Sequence, residues 1–214
     1  MSKKIKAVIV NRNLLTTLKN TVEFLSKEPR VEVIIYDQQS TYPPLLEYYK
    51  TQNVMYNTEN GGPYSVWGIP NINKDYYIVA DSDCMYEGVP EDWLDKMLES
   101  LSVINSNKVG FSLRIDDLPN NEFTQQVKNH ESQFWLKKCQ FGFLSDVDTT
   151  FALYRPNSVF NYNAVRLSEP YTIRHIPWYL DKNLPDEWEY YLKNVNHMST
   201  WGDKLKKYIN KKAP

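Results

Sequence analysis

Asp75-Tyr76-Tyr77-Ile78-Val79-Ala80-Asp81-Ser82-Asp83 is the stretch that decides the fold. Behind its leading acid it is aromatic, apolar and β-branched, the composition of a buried strand. Two carboxylates, Asp81 and Asp83, then leave the strand with only Ser82 between them. In open α/β sheets, ligands gather outside the carboxyl ends of the strands. Acids placed there repel each other unless a positive charge sits between them, and a hard divalent cation carrying substrate phosphates meets that need. Acids also end strands as ordinary turn formers and caps. The position behind a hydrophobic strand is what makes this pair a candidate metal and phosphate site.

The pattern upstream extends the sheet. Lys6-Ala7-Val8-Ile9-Val10 predicts a first strand ending at Asn11-Arg12-Asn13, and Leu14, Leu18, Val22 and Leu25 then recur at helical spacing. Val31 to Tyr36 predicts a second strand ending at Asp37 and a polar turn, Gln38-Gln39-Ser40-Thr41. Pro43-Pro44 can open a helix running through Tyr49, since proline is tolerated in a first turn. Asn53 to Tyr56 predicts a short third strand, Asn60-Gly61-Gly62-Pro63 a loop, and Tyr64 to Trp67 a helical turn. This β-α-β-α-β alternation argues for an α/β fold with a central, mostly parallel sheet flanked by helices.

The second half is less regular. A helix is expected over Pro90 to Leu101, a strand over Lys108 to Ile115, helix within 122–138 and a strand over Thr149 to Tyr154. Val165 to Tyr179, with Pro170 and Pro177, reads as loop-rich, and the tail from Glu187 as helical in pieces. No repeat or linker divides the chain, so one domain over 1–214 is expected.

Bulk composition sets bounds. With 214 residues, a net charge of −1 and 42% hydrophobic residues, the chain can build a proper core and is neither disordered nor a strongly basic nucleic-acid binder. Cys84 and Cys139 form neither a ligand cluster nor a disulfide framework, which fits a reducing, cytoplasmic setting. No long apolar signal segment precedes the first strand, and no apolar run approaches the ~20 residues needed to span a bilayer. The 16 tyrosines and 6 tryptophans suit core and rim positions, and also stacking on bases or sugar rings.

Rival motifs fail. An EF-hand loop needs a polar ligand where Met85 stands and glycine where Tyr86 stands. Neither G-x-x-x-x-G-K-[ST] nor G-x-G-x-x-G occurs. Asn11, Arg12 and Asp37 end the first two strands and should share a rim with the acid pair. Arg12 is suited to a phosphate or base edge, Asp37 to a base N–H or a ribose hydroxyl, and both equally to turn chemistry. Asn60-Gly61-Gly62 can bring backbone amides against a ligand or form a plain tight turn. His175, in Arg174-His175-Ile176-Pro177-Trp178-Tyr179, is a candidate metal ligand, although lone histidines are more often structural. His130 and His197 read as surface residues. Asp146-Val147-Asp148-Thr149-Thr150 places acids before an apolar strand, where a carboxylate can take a proton from an attacking hydroxyl or cap a turn; Asp116 and Asp117 compete for that role. Trp201, Leu205, Tyr208 and Ile209 at helical spacing, with Lys204, Lys206, Lys207, Lys211 and Lys212, read as a helix packed on the domain rather than one lying on an anionic membrane.

Taken together these residues resemble the GT-A class of nucleotide-sugar glycosyltransferases, family-2-like and similar to glycosyltransferase domains of large algal viruses. The resemblance implies a GT-A fold, with a nucleotide-binding half over 1–90 and an acceptor-binding half over 91–214. It implies transfer of a hexosyl group from a nucleoside diphosphate sugar, UDP-linked in the first instance, to a glycan or other hydroxyl acceptor in glycan biosynthesis. Asn11, Arg12, Asp37, Asn60, Gly61 and Trp67 would then bind the nucleotide sugar with Asp81, Ser82, Asp83 and Arg174. Asp83 and His175 would hold Mn²⁺ or Mg²⁺, and Asp148 is the candidate base, a carboxylate that would suit inversion. Trp135, Trp178 and Tyr179 are the expected acceptor-stacking residues. A viral origin would make the setting the host cytoplasm. A sugar nucleotidyltransferase and a non-catalytic carbohydrate- or nucleotide-binding module are the rivals; the first usually carries a glycine- and lysine/arginine-rich loop after its first strand, and Asn11-Arg12-Asn13-Leu14-Leu15 has no glycine.

Overall fold

The computed structural model describes residues 3–194 and 200–211. The first half contains β1 (Ile5–Asn11), α1 (Thr16–Ser26), β2 (Val31–Asp37), α2 (Pro43–Tyr49), β3 (Val54–Tyr56), β4 (Tyr77–Asp81) and β5 (Cys84–Met85). The second contains α3 (Trp93–Val103), β6 (Lys108–Leu113), α4 (Glu122–Glu131), β7 (Lys138–Cys139), β8 (Gly142–Asp146), β9 (Phe151–Tyr154), β10 (Asn163–His175), α5 (Asp186–Asn194) and α6 (Thr200–Lys211). One sheet runs through both halves in the order β3-β2-β1-β4-β9-β6-β10-β8-β7, with β5 pairing the end of β10.

β1 pairs in parallel with both β2 and β4. β4 and β6 each pair antiparallel with β9, so β6 runs with the first four strands, and β10 is parallel to β6. β9 and β8 run against that direction, which makes the sheet mostly parallel, as expected. The register sets Asn11 opposite Asp37 and Val10 opposite Asp81, so three strands end on polar residues along one edge.

Side chains alternate across the sheet, and both faces are covered. Ala7, Ile9, Ile78, Ala80, Phe151 and Leu153 pack against Leu18 and Leu25 of α1 and Leu94, Met97 and Leu101 of α3. Val8, Val10, Tyr77, Val79, Ala152 and Tyr154 face Val66, Ile72 and Val147 on the other side. Each such side chain taken out of water is worth roughly 1.5–3 kcal/mol, and the two layers hold the strand ends in place.

The segment expected to be loop-rich is the longest strand, β10, which corrects that expectation. Its pairing with β6 shifts register between Leu167 and Thr172, where Pro170 lies. Proline cannot donate to a ladder and is tolerated where the ladder is interrupted, so it hides a strand from a sequence pattern. The helix expected within 122–138 ends at Glu131 and gives way to the hairpin of β7 and β8. α6 packs on the domain through Leu205 and Tyr208, the latter stacked on Phe123 with ring centroids 5.7 Å apart. Among the described residues no helix is long and apolar enough to cross a membrane. His197 and Lys212 lie outside the described residues.

Candidate active site

Asp81 closes β4. Its N–H donates to the Thr150 carbonyl (3.0 Å) and its carboxylate accepts from the Thr149 hydroxyl (2.8 Å). The chain then turns into β5, which bonds the end of β10 with Cys84 opposite His175. The Asp83 carbonyl accepts from Ile176 N–H (2.9 Å), and its carboxylate lies 3.3 Å from His175 Nε2. Topology, not sequence proximity, joins these two residues. The 146–150 segment brings Asp148 alongside; one of its oxygens accepts from both the N–H (2.9 Å) and the hydroxyl of Thr150, and the residue is exposed.

Three carboxylates therefore converge on one strand end. Burial first, then the charges of Asp83 and Asp148, push Asp81 well above the usual carboxylate range, against the Thr149 hydrogen bond. Burial pushes the His175 imidazole down, but the charge and hydrogen bond of Asp83, with the charges of Asp148 and Asp81, outweigh it and hold the ring above its ordinary value. Both shifts describe a negative field at the carboxyl edge of β4.

A cleft in front of this edge is lined by Asn11, Arg12, Asn60, Asp81, Ser82 and Asp83 of the expected set. Asn11 Nδ2 donates to the Tyr49 hydroxyl (2.7 Å), while its buried Oδ1 has no partner among the described residues. Arg12 reaches the Gln38 carbonyl (2.8 Å), and its buried Nε has no partner among the described residues. Asn60 Oδ1 accepts from Gly62 N–H (3.3 Å).

Other expected residues lie elsewhere. The buried Asp37 carboxylate accepts from the Tyr49 hydroxyl (2.9 Å) and Ser40 N–H (3.0 Å) and does not line the cleft. Gly61 packs on Ser65 and gives its N–H to Gln38 Oε1 (3.1 Å); it is Gly62, with φ of 68° and ψ of −172°, that turns the loop along the cleft. Trp67 donates to the Tyr77 hydroxyl (3.0 Å) beneath an aromatic cluster. Arg174, one residue from His175, binds Asp117 (2.6 Å) and Glu87 (3.2 Å) instead. Among the expected stacking residues, Trp178 is 1% exposed and belongs to the core, and Tyr179 donates to Asp117 (2.6 Å).

Sequence reasoning missed Gln38 and Tyr191, which also line the cleft. Gln38 Oε1 gathers Asn57, Gly61 and Ser65, and so shapes the 57–65 loop. Tyr191 comes from α5, which is clipped to the sheet's carboxyl edge because Glu187 accepts from the N–H groups of Leu15 (2.7 Å) and Thr16 (2.8 Å) at the start of α1. Burial and the charges of Asp83 and Asp81 push the Tyr191 phenol up to about 12. The apolar period of α5 is readable, but nothing local says which surface it covers.

Among the described residues no group of three or more His, Cys, Asp or Glu side chains is arranged as a complete metal site. Asp83 and His175 do present an oxygen and a nitrogen 3.3 Å apart, close to the ~3 Å between neighbouring donors when each lies ~2.1 Å from an octahedral ion. A hard cation that takes its remaining ligands from phosphates needs only one or two protein donors.

No protein-family model matches the chain, and no curated protein does. Solved structures similar to it include a Bacillus anthracis protein assigned as a glucose-1-phosphate thymidylyltransferase, in complex with sucrose, at 12% identity and a TM-score of 0.41, covering 97% of this chain and 84% of that one. Another is 4-diphosphocytidyl-2C-methyl-D-erythritol synthase from Anaerococcus prevotii, at 11% identity and a TM-score of 0.39, with 97% and 84% covered. A third is the glycosyltransferase GlyE of Streptococcus pneumoniae, at 11% identity and a TM-score of 0.42, with 98% of this chain and 64% of that one covered. Likeness at this level carries no chemistry.

Proposed function

We propose that this protein is a metal-dependent glycosyltransferase of the GT-A type, moving a sugar from a nucleoside diphosphate sugar to a hydroxyl acceptor. The observation that carries the reading is the convergence of Asp81, Asp83, Asp148 and His175 at the carboxyl edge of β4, with Asp83 and His175 3.3 Å apart. Asp83 and His175 would hold Mn²⁺ or Mg²⁺. When bound, such a cation supplies positive charge to a departing diphosphate.

The chain's own residues do the rest. Asn11 and Arg12 line the cleft, and each keeps a buried polar atom, Asn11 Oδ1 and Arg12 Nε, without a partner among the described residues, a reserve of hydrogen bonding beside the place a nucleotide would take. Asp81, tied to Thr149, keeps the strand end and the 146–150 segment in register. Asp148 has one oxygen engaged by Thr150 and the other without a partner among the described residues, and would accept the proton of the attacking hydroxyl. Asp37 organises the β2 turn rather than touching the nucleotide. Tyr191, protonated throughout the neutral range, is a hydrogen-bond donor for an anionic oxygen.

Nucleotidyl transfer is the nearest rival, and one observation weighs against it. The amides at the start of α1, where a triphosphate loop would offer donors, are already taken by Glu187. A thermal-shift screen of UDP-, GDP- and dTDP-sugars with and without manganese tests the proposal. A manganese-dependent rise with a sugar nucleotide, followed by slow release of free nucleoside diphosphate, is the expected result. A rise with no turnover for any donor and acceptor pair would make the protein a binding module. Pyrophosphate formation from a nucleoside triphosphate and a sugar phosphate would make it a nucleotidyltransferase.

A further inference from the structure

Of the stacking residues expected from sequence, Trp178 is buried, Tyr179 is bonded to Asp117 and the half-buried Trp135 packs on Phe143 with ring centroids 5.2 Å apart. Yet a different aromatic group faces solvent beside the acids. Tyr64 and Tyr162 are 50% and 52% exposed, with hydroxyls 3.3 Å apart. Phe160 joins them, its ring centroid 4.9 Å from Tyr64 and 5.0 Å from Tyr162, and Trp67 closes the group from below at 5.1 Å from Phe160. Contiguous exposed aromatics are uncommon on a surface with no partner and usually mark a binding face.

Two connections place this shelf next to the chemistry. Tyr64 follows Pro63 and Gly62, which line the cleft, and the charges of Asp148 and Asp81 reach its hydroxyl. Val147 N–H donates to the Tyr162 carbonyl (2.9 Å), so Tyr162 is bonded to the segment that carries Asp148. The shelf thus lies on the β9 side of the acids, while Asn11, Arg12 and Gln38 occupy the β1–β2 side. Beneath it, Lys108 sits 4.7 Å from the Phe160 ring centroid and donates to the Val147 carbonyl (2.5 Å), bracing shelf and segment together.

We propose that Tyr64, Phe160 and Tyr162 form a subsite for a pyranose ring of a carbohydrate acceptor. A pyranose has an apolar face of C–H bonds that covers an aromatic ring and an edge of hydroxyls that needs polar partners. The shelf offers aromatic surface with two phenolic hydroxyls at its rim, the mixture of apolar wall and few polar groups that ligand sites use. A sugar seated there extends towards Asp148. Its role as acceptor rests on the transferase reading above; its affinity for carbohydrate does not.

Saturation-transfer-difference NMR with maltotriose, cellotriose and chitotriose tests the assignment, alongside UDP titration in the presence of manganese. Wild type is expected to saturate the ring protons of at least one trisaccharide. Tyr64→Ala/Tyr162→Ala should lower that signal at least fivefold while the UDP affinity stays within twofold, and Tyr64→Phe/Tyr162→Phe should keep part of it. No saturation with any trisaccharide, or the same saturation in the alanine variant, would overturn the subsite. A parallel loss of UDP affinity would overturn it too, by assigning the tyrosines to the nucleotide. Trisaccharide binding in a protein that ignores UDP and manganese would keep the subsite and sink the donor reading.

Discussion

β2 and β4 flank β1, run the same way and each end on an aspartate, yet the two acids have opposite fates. Asp37 has both oxygens occupied, by the Tyr49 hydroxyl and the Ser40 amide, and sits buried under its own turn. Asp81 and Asp83 stand in a field of like charge, with Asp148 adding to it and His175 partly offsetting it. A carboxylate whose lone pairs are satisfied by the fold contributes to stability. A cluster whose charges oppose one another costs stability, which marks it as a candidate binding site.

That contrast can be broken by substitution. Asp83→Ala should reduce metal-dependent turnover of a sugar nucleotide at least a hundredfold, about 2.7 kcal/mol of transition-state stabilisation, with the melting temperature unchanged or raised. Steady-state assays with a thermal melt read both, and a large drop in melting temperature would make Asp83 structural. Asp37→Ala should do the reverse. It takes the acceptor from the buried Tyr49 hydroxyl and the part-buried Ser40 N–H, for roughly 1–3 kcal/mol by denaturant titration, and should change turnover of the folded protein by only a fewfold.

Lys108 sharpens the same comparison from a third position, as a buried cation that braces the Asp148 segment through the Val147 carbonyl. Burial pushes its pKa down to about 8, against the raising charges of Asp148 and Asp146. The unfolded chain keeps that proton up to the ordinary lysine value of ~10.4, so between these limits it binds more protons than the native state, and stability rises with pH. Urea titrations at pH 7.5 and 9.5 should show that rise in wild type and lose most of it in Lys108→Met. An equal rise in both would assign it to another group.

How far the sequence reaches follows from the same elements. The strand-helix alternation up to Asp83 is legible because local periodicity and burial agree there: Ala7 to Val10 and Tyr77 to Ala80 are buried on both faces of the sheet. Past Asp83 the structure depends on non-local pairing. β10 is interrupted at Pro170, β5 and β7 have two residues each, and no local pattern announces them. Within the site, Asp81, Asp83 and Asn60 were readable from strand ends and turn chemistry, and His175 from its neighbours. Arg174 looked equally suitable but turns to Asp117 and Glu87. Tyr191 and the Tyr64–Tyr162 shelf owe their positions to docking of α5 and of the 155–162 loop, which no spacing encodes.

The pairing of Asp83 with His175 across the β5–β10 bridge is the central claim, and electron paramagnetic resonance of Mn²⁺ with UDP tests it directly. Free Mn²⁺ gives a six-line signal that falls when the ion is bound. In wild type the signal should fall when UDP is added, whereas Asp83→Ala and His175→Ala should leave it at least tenfold closer to the free ion. An equal fall in wild type and both variants, or UDP binding that is indifferent to a chelator, would contradict the account.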